Sequence, residues 1–215
     1  MRKLIFLINI LFTQSIIFAQ SSVLNPVQMA VVAFDSLQNY RVTVNTLCCE
    51  SDENIIYSFK KPAFIRMDFN RPHKGAVLVY NPVENLVRLK PFGLFSFLKL
   101  SMDPDNKLIT SPKGHTVDKS HFGELLKNVN TLLQNGDITS VKKDSLNNRI
   151  CNLTEITGKD TISVDGINIY KIWFDDSLKL PLKVEAFDTA GTLLESVLTD
   201  DLEINIKLDD DLFDL

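Results

Sequence analysis

The first regular pattern along the chain is an apolar stripe at the spacing of an α-helix. Asn25 and Pro26 stand at its start, and both residue types favour the first turn of a helix. The stripe contains apolar residues at intervals of three and four, namely Val27, Ala30, Val31, Phe34 and Leu37. This arrangement predicts an amphipathic helix that begins after Asn25 and presents one apolar face.

Beyond this helix the pattern changes to alternation of apolar and polar residues, which is typical of strands with one buried face. Connections such as Asn81-Pro82 and Asn147-Asn148 favour tight turns between neighbouring strands. We therefore predict about ten strands in an antiparallel meander. They occupy residues 40–45, 55–60, 63–69, 76–80, 86–89, 138–141, 149–156, 167–174, 181–187, 192–198 and 203–208.

A second helical stripe interrupts the strands at residues 118–134, with Asp118 near its start and Gly136 just past its end. No repeat or linker divides the chain, so we expect a single domain from residue 20 to residue 215. The predicted fold class is mainly β with helices (α+β). Its architecture is an incomplete antiparallel β-barrel of about ten strands, with the helices covering the concave face.

Residues 90–103 fit neither pattern, although they carry a run of large apolar side chains. Their pattern leaves two interpretations open. The segment is either a buried strand or short helix, or it is a mobile apolar lid over residues 92–102. Pro91-Phe92-Gly93 on one side and the turn-rich residues 103–106 on the other would supply hinges for such a lid.

The amino terminus, residues 1–19, predicts a secretory signal peptide. Two basic residues precede a short apolar stretch, and Ala19 suits a cleavage site. Asn9 and Gln14 interrupt the stretch, so an uncleaved membrane anchor is the weaker alternative. We expect a mature chain of residues 20–215 that is exported and soluble.

Composition narrows the possible functions. The chain has 215 residues, 45% of them apolar, and a formal charge of −4. Residues 1–19 contain two of the 23 basic residues and none of the 27 acidic ones, so the mature chain has a formal charge of −6. This charge argues against nucleic-acid binding and against membrane binding through bulk charge. Any affinity for lipid must come from apolar surface.

Cysteine usage indicates one long-range bridge. Export brings an oxidising compartment, so Cys151 is expected to pair with Cys48 or with its neighbour Cys49. One thiol would then remain. A redox-active role is the alternative, but the sequence contains no Cys-x-x-Cys motif to support it.

Two stretches of sequence resemble a known family. Residues 57–69, Tyr-Ser-Phe-Lys-Lys-Pro-Ala-Phe-Ile-Arg-Met-Asp-Phe, and residues 75–82, Gly-Ala-Val-Leu-Val-Tyr-Asn-Pro, are similar to LolA/LolB-like lipoprotein carriers of the bacterial periplasm. The similarity extends to residues 180–182, residues 200–205 and Phe213 near the end of the chain. The order of helix, strands, helical insertion and strands also follows this superfamily over nearly the whole mature chain.

The resemblance implies an incomplete barrel with a helical lid, enclosing an apolar cavity that holds the acyl chains of a lipoprotein. It makes Lys61 the candidate lid latch, at a position where carriers typically have Arg; a solvated strand-end charge is the alternative. The candidate lipid-binding residues alternate on two strands or lie in the apolar segment: Ile55, Tyr57, Phe59, Ile65, Met67, Phe69, Phe92, Phe95, Phe97 and Leu98. Plain core packing is the alternative for these residues.

The implied function is a periplasmic carrier that acts as a monomer and delivers acylated lipoprotein, or another lipid, toward the outer membrane. Its partners would be an inner-membrane loading complex and an outer-membrane acceptor. The alternative is a lipid-sensing or protein-docking module of the same fold. Catalysis is not predicted, because the nucleophile-elbow, zinc-protease and phosphate-loop motifs are absent from the sequence. Neither a cofactor nor a metal is predicted, and His115 and His121 match no zinc-ligand spacing.

Overall fold

The computed structural model describes residues 24–46, 52–111 and 114–215. Within these residues the chain forms two α-helices, α1 (Pro26–Ser36) and α2 (Phe122–Leu133). The same residues form eleven strands: β1 (Asn39–Thr46), β2 (Asn54–Lys60), β3 (Phe64–Arg71), β4 (Val77–Asn81), β5 (Leu86–Lys90), β6 (Leu100–Met102), β7 (Gly136–Leu146), β8 (Arg149–Gly158), β9 (Ile169–Asp175), β10 (Pro181–Phe187) and β11 (Leu193–Ile204).

All eleven strands of the described residues belong to one antiparallel sheet in the order β6-β5-β4-β3-β2-β1-β11-β10-β9-β8-β7. Two meanders, β1 to β6 and β7 to β11, are joined by the pairing of β1 with β11. The short strand β6 and the long strand β7 are the two edges, so the sheet is open within the described residues. The predicted incomplete antiparallel barrel with helices is therefore confirmed.

Local sequence explains several of these boundaries. Asn25 caps α1, since its side chain accepts from the Gln28 amide at 2.9 Å while the Gln28 side chain accepts from the Asn25 amide at 3.0 Å. The tight turn predicted at Asn147-Asn148 joins β7 to β8, and both asparagines have φ in the left-handed region, at 48° and 62°. Asparagine tolerates this conformation better than most residues.

Two predicted boundaries were wrong. Helix α2 begins at Phe122 rather than near Asp118, because residues Val117–Lys119 form a separate 3₁₀ turn. The strand predicted at residues 203–208 is not separate: β11 continues through Ile204, and the chain then leaves the sheet. For residues 90–103, whose pattern left several interpretations open, the structure shows that one part is the strand β6, which pairs with β5 through Leu89 and Leu100.

Apolar side chains form two clusters on the concave face and one on the convex face. Helices α1 and α2 pack against β8, β9 and β10 in one concave cluster, and the other extends from β1 to β5 onto β10 and β11. On the convex face, Phe213 of the carboxyl-terminal 3₁₀ turn packs on Phe64, Val77 and Val79. Arg66 holds this turn by donating to the Leu212 carbonyl at 2.9 Å.

The predicted signal peptide and both Cys48 and Cys49 lie outside the described residues. Their cleavage and pairing stay predictions. In the part of the chain that is described, the helices are all too short or too polar to span a bilayer.

Candidate ligand-binding cavity

A cavity of about 1310 Å³ lies against β1 to β6 and extends over β10 and β11 to the start of α2. Pockets for drug-sized ligands occupy roughly 300–1,000 Å³. The space therefore suits a ligand larger than most metabolites, provided that its walls are apolar.

The wall of the cavity is built from side chains paired across neighbouring strands. A continuous row runs over six strands, because each residue lies opposite the next in the sheet register. All members of this row line the cavity: Val42, Tyr57, Met67, Leu78, Leu89 and Leu100. A second row nearer the open end contributes Val44, Ile55 and Phe69. The wall is thus largely hydrocarbon.

Two irregular segments cover this wall. We call residues 91–98, between β5 and β6, the apolar tip, and residues 103–111 with 114–121, between β6 and α2, the connecting loop. Phe92, Phe95 and Leu98 of the tip line the cavity. Residues 108–111 and 115–117 of the connecting loop line it as well. Neither segment is a helix that could fill the space with a regular stripe of side chains.

Two tyrosines fasten the end of the connecting loop to the wall. The Tyr40 hydroxyl accepts from the Phe122 amide at 3.3 Å, and the Tyr57 hydroxyl is hydrogen-bonded to Ser120 Oγ at 3.1 Å. Desolvation by burial raises the pKa of both tyrosines. Their hydroxyls therefore stay protonated, and this end of the cavity carries no phenolate charge.

His121 stands at the same place, between the wall and α1. Its ring stacks on Phe34 with an interplanar angle of 3° and lies 5.1 Å from the Phe59 ring. Burial lowers the pKa of His121, which favours the neutral imidazole. Its Nδ1 is buried and, within the described residues, has no hydrogen-bond partner.

Several charged residues border the cavity, among them Lys183 of β10 and Glu195 of β11. Arg71 pairs with Asp52 at 3.3 Å, and His115 lies 3.5 Å from Glu195, which connects the connecting loop to β11. Among the described residues, no group of three or more His, Cys, Asp or Glu side chains is arranged to hold a metal ion.

Seven of the ten predicted lipid-binding residues reach the cavity. They are Ile55, Tyr57, Met67, Phe69, Phe92, Phe95 and Leu98. Phe59 and Ile65 do not line it, because they belong to the next row of the sheet, where Phe34 and His121 cover Phe59. Phe97 does not line it either, and its side chain is 76% exposed.

Sequence reasoning missed other parts of the wall. Val42, Val44, Leu78 and Leu89 share the alternation that revealed Tyr57 and could have been included by extending it to neighbouring strands. The cavity-lining residues of the connecting loop had no such signal, because that loop follows no period.

Lys61 contacts helix α1 rather than the apolar tip. Its Nζ donates to the Asp35 carbonyl oxygen at 2.5 Å and lies 5.4 Å from the centroid of the Phe34 ring. A cation near the last turn of a helix offsets the partial negative charge of the free carbonyls. The latch role stays a prediction, but any latch through Lys61 would act on α1.

Cys151 is buried in β8, where its thiol lies 3.5 Å from the Arg149 carbonyl oxygen. Burial raises the pKa of this thiol, which favours the unreactive protonated form. Its predicted pairing with Cys48 or Cys49 stays a prediction.

An open antiparallel sheet that holds a large apolar cavity under helices and loops defines a β-fold suited to binding hydrophobic ligands. The chain belongs to the family described as "Protein of unknown function (DUF1571)", whose model matches residues 35–215. Among curated proteins, none matches the chain significantly.

Several solved structures are similar to this chain at low sequence identity. MucB in the Pseudomonas aeruginosa MucA/MucB complex is 13% identical with a TM-score of 0.55; the match covers 88% of this chain and 59% of that one. A LolA superfamily protein from Nitrosomonas europaea is 12% identical with a TM-score of 0.37, covering 87% and 95%. Lipoprotein LppX from Mycobacterium tuberculosis is 11% identical with a TM-score of 0.47, covering 86% and 96%.

At 13% identity and a TM-score above 0.5, the similarity to MucB is one of fold. The fold that the resemblance to LolA/LolB-like proteins predicted is confirmed, since the described residues form the expected open sheet with two helices. The chain spans less than two thirds of the MucB chain.

Proposed function

We propose that this protein binds the acyl chains of a lipoprotein, or of another lipid, in the cavity and carries them through the periplasm toward the outer membrane. The observation that carries the proposal is the cavity of about 1310 Å³ with its apolar wall on β1 to β5. It is a binding and transport function and involves no chemical reaction.

The energetics of such a carrier require a covering segment. Burying an acyl chain is worth about 0.8 kcal/mol for each methylene group, so a long chain in an open apolar groove would be held too tightly for transfer. The apolar tip and the connecting loop already contact the wall. A ligand must displace some of these contacts, and this cost lowers the net affinity.

The predicted signal peptide supports a periplasmic location. A carrier there needs a donor and an acceptor, so we place an inner-membrane loading complex and an outer-membrane acceptor among its partners.

The direct test is to express the full-length gene, purify the exported protein and extract its ligands for mass spectrometry. We expect an acylated peptide or a phospholipid at a substantial fraction of one molecule per protein. Displacement of a fluorescent fatty acid then gives an affinity. Repeated ligand-free preparations that also fail to bind the fluorescent fatty acid would refute the proposal.

A matched pair of variants locates the site. Met67→Asp places a carboxylate on the wall and should weaken fatty-acid binding by at least about tenfold, because a buried charge lacks a partner there. Val83→Asp, at a side chain that is 81% exposed in the β4–β5 turn, should leave binding unchanged. If Met67→Asp unfolds the protein, Met67→Ser provides the milder change.

A protein-docking module is the second candidate. The fold shared with MucB, which has been observed in complex with MucA, favours it. A module of this kind would bind a partner protein through the mouth of the cavity and would fail to transfer lipoprotein between membranes in a transfer assay. A carrier would pass that assay.

A further inference from the structure

The apolar tip exposes large side chains that the cavity does not use. Leu94 is 91% exposed and Phe97 is 76% exposed, and neither lines the cavity. Phe92 and Phe95 line it but are also largely exposed on their outer sides. Four large apolar side chains in six consecutive residues form a patch of the kind that marks an interaction surface.

The patch lies at the mouth of the cavity. The tip follows β5 at the end of the sheet opposite the β4–β5 turn. Its Phe92 ring stacks on His73 of the β3–β4 connection at 5.0 Å, and both residues line the cavity. Gly93 begins the 3₁₀ turn of the tip with φ at 65°, a left-handed conformation that glycine adopts without strain. The turn presents Leu94 outward beside the opening.

The residues around the patch are basic, whereas the chain as a whole is acidic. Residues 85–102 contain no acidic residue, and Lys90 and Lys99 flank the tip on its two sides. Lys74 is exposed next to His73 on the neighbouring connection. The whole chain has a formal charge of −4. Basic residues are thus gathered around the exposed apolar side chains of an otherwise acidic protein.

We propose that the apolar tip docks the protein on an anionic lipid bilayer by inserting Leu94 and Phe97 among the lipids. Phenylalanine and leucine bury in the interfacial region, while flanking lysines attract anionic headgroups and keep their charge in water. This inference rests on the proposed function in one respect: docking at the tip turns the cavity mouth toward the bilayer from which an acyl chain is taken or to which it is delivered.

Vesicle sedimentation tests the docking. Full-length protein, purified after export, is mixed with vesicles of phosphatidylcholine containing phosphatidylglycerol and with vesicles of phosphatidylcholine alone. We expect sedimentation with the anionic vesicles, and weaker sedimentation with the neutral vesicles or at high salt. The double variant Leu94→Ser, Phe97→Ser should bind at least about tenfold more weakly, since each lost side chain removes apolar burial. Val83→Ser is the control and should bind like the parent protein.

Binding of a fluorescent fatty acid in the absence of vesicles separates this inference from the proposed function. The double variant should keep that binding, because Leu94 and Phe97 do not line the cavity. Parent protein that fails to sediment with either type of vesicle would overturn the docking, as would a double variant that sediments normally. The docking would also be overturned if the parent protein self-associated through the tip without binding vesicles, and if the double variant lost this self-association. Vesicle binding without fatty-acid binding would refute the carrier function and leave the docking intact.

Discussion

The two halves of the concave face have the same pattern of apolar side chains but differ in what covers them. On the helix-filled half, Ile156, Ile172 and Phe174 pack beneath α1 and α2, and essentially none of their surface is exposed. On the cavity half, β1 to β5 present an equally apolar row, which the apolar tip and the connecting loop cover incompletely. The same kind of strand therefore serves as core in one place and as the wall of a cavity in the other.

The difference follows from the geometry of the covering segments. A helix with an apolar stripe presents side chains at regular spacing, and Leu126, Val129 and Leu132 of α2 interdigitate with the sheet. An irregular loop must satisfy its own backbone polar groups and cannot supply such a stripe. The molecule thus has one tightly packed half and one half that leaves space against the sheet.

Truncating one leucine in each half should give the largest difference in stability between the two halves. Leu126→Ala leaves a new cavity under α2, and we expect it to lower the free energy of unfolding by about 3–5 kcal/mol. Leu78 already borders the cavity, so Leu78→Ala creates little new cavity volume. We expect it to lose only the transfer free energy of the removed atoms, about 2 kcal/mol or less. Urea unfolding of both variants measures the difference. Equal losses would show that the cavity is not open in solution.

Enlarging one alanine in each half should give the opposite contrast. Ala186→Phe overpacks the helix-filled half and should cost about 1–3 kcal/mol of stability. Ala76→Phe projects into the cavity, so stability should change by less than about 1 kcal/mol while the capacity for fatty acid falls. Thermal unfolding and fatty-acid displacement report the two effects. A strongly destabilised Ala76→Phe would argue that this part of the wall is tightly packed.

His121, which lies between the two halves, should make the free energy of unfolding depend on pH. Burial lowers the pKa of His121 below 6.5, its value in an unfolded chain, although Glu124 and Asp118 partly oppose this and Lys127 adds to it. As the pH falls below 6.5, the unfolded state binds a proton that the folded state resists, so stability decreases in that range and is recovered above it. His121→Phe should flatten this dependence in urea titrations. An unchanged slope between the two proteins would assign it to other groups.

The smallest expected effect concerns the anchoring of α1. Lys61→Met keeps the aliphatic stem but removes the contact with the Asp35 carbonyl, and should cost about 0.5–1 kcal/mol in thermal unfolding. A changed rate of fatty-acid release would support the latch role of Lys61. If only stability changes, the residue serves to anchor the helix.

Much of the fold was predictable from the chain because it depends on local chemistry. The capping residues Asn25 and Pro26 revealed the start of α1, and Asn147-Asn148 revealed a hairpin. The continuity of β11 across residues 199–202 was not predictable, since a polar stretch gives no sign that a strand continues. Alternation alone predicted Ile55, Tyr57 and Met67, which line the cavity, but it did not distinguish them from Phe59, which lies on the same face and packs against His121.

The sequence by itself determined which side chains of a strand share a face, where several turns fall and that the apolar residues 90–103 follow neither the helical nor the strand period. Only the tertiary structure decided that Phe59 is core, that Met67 borders empty space and that Phe97 faces solvent. Alternation is a property of one strand. A cavity, in contrast, depends on how closely segments distant in the chain approach that strand, and no local pattern records this distance.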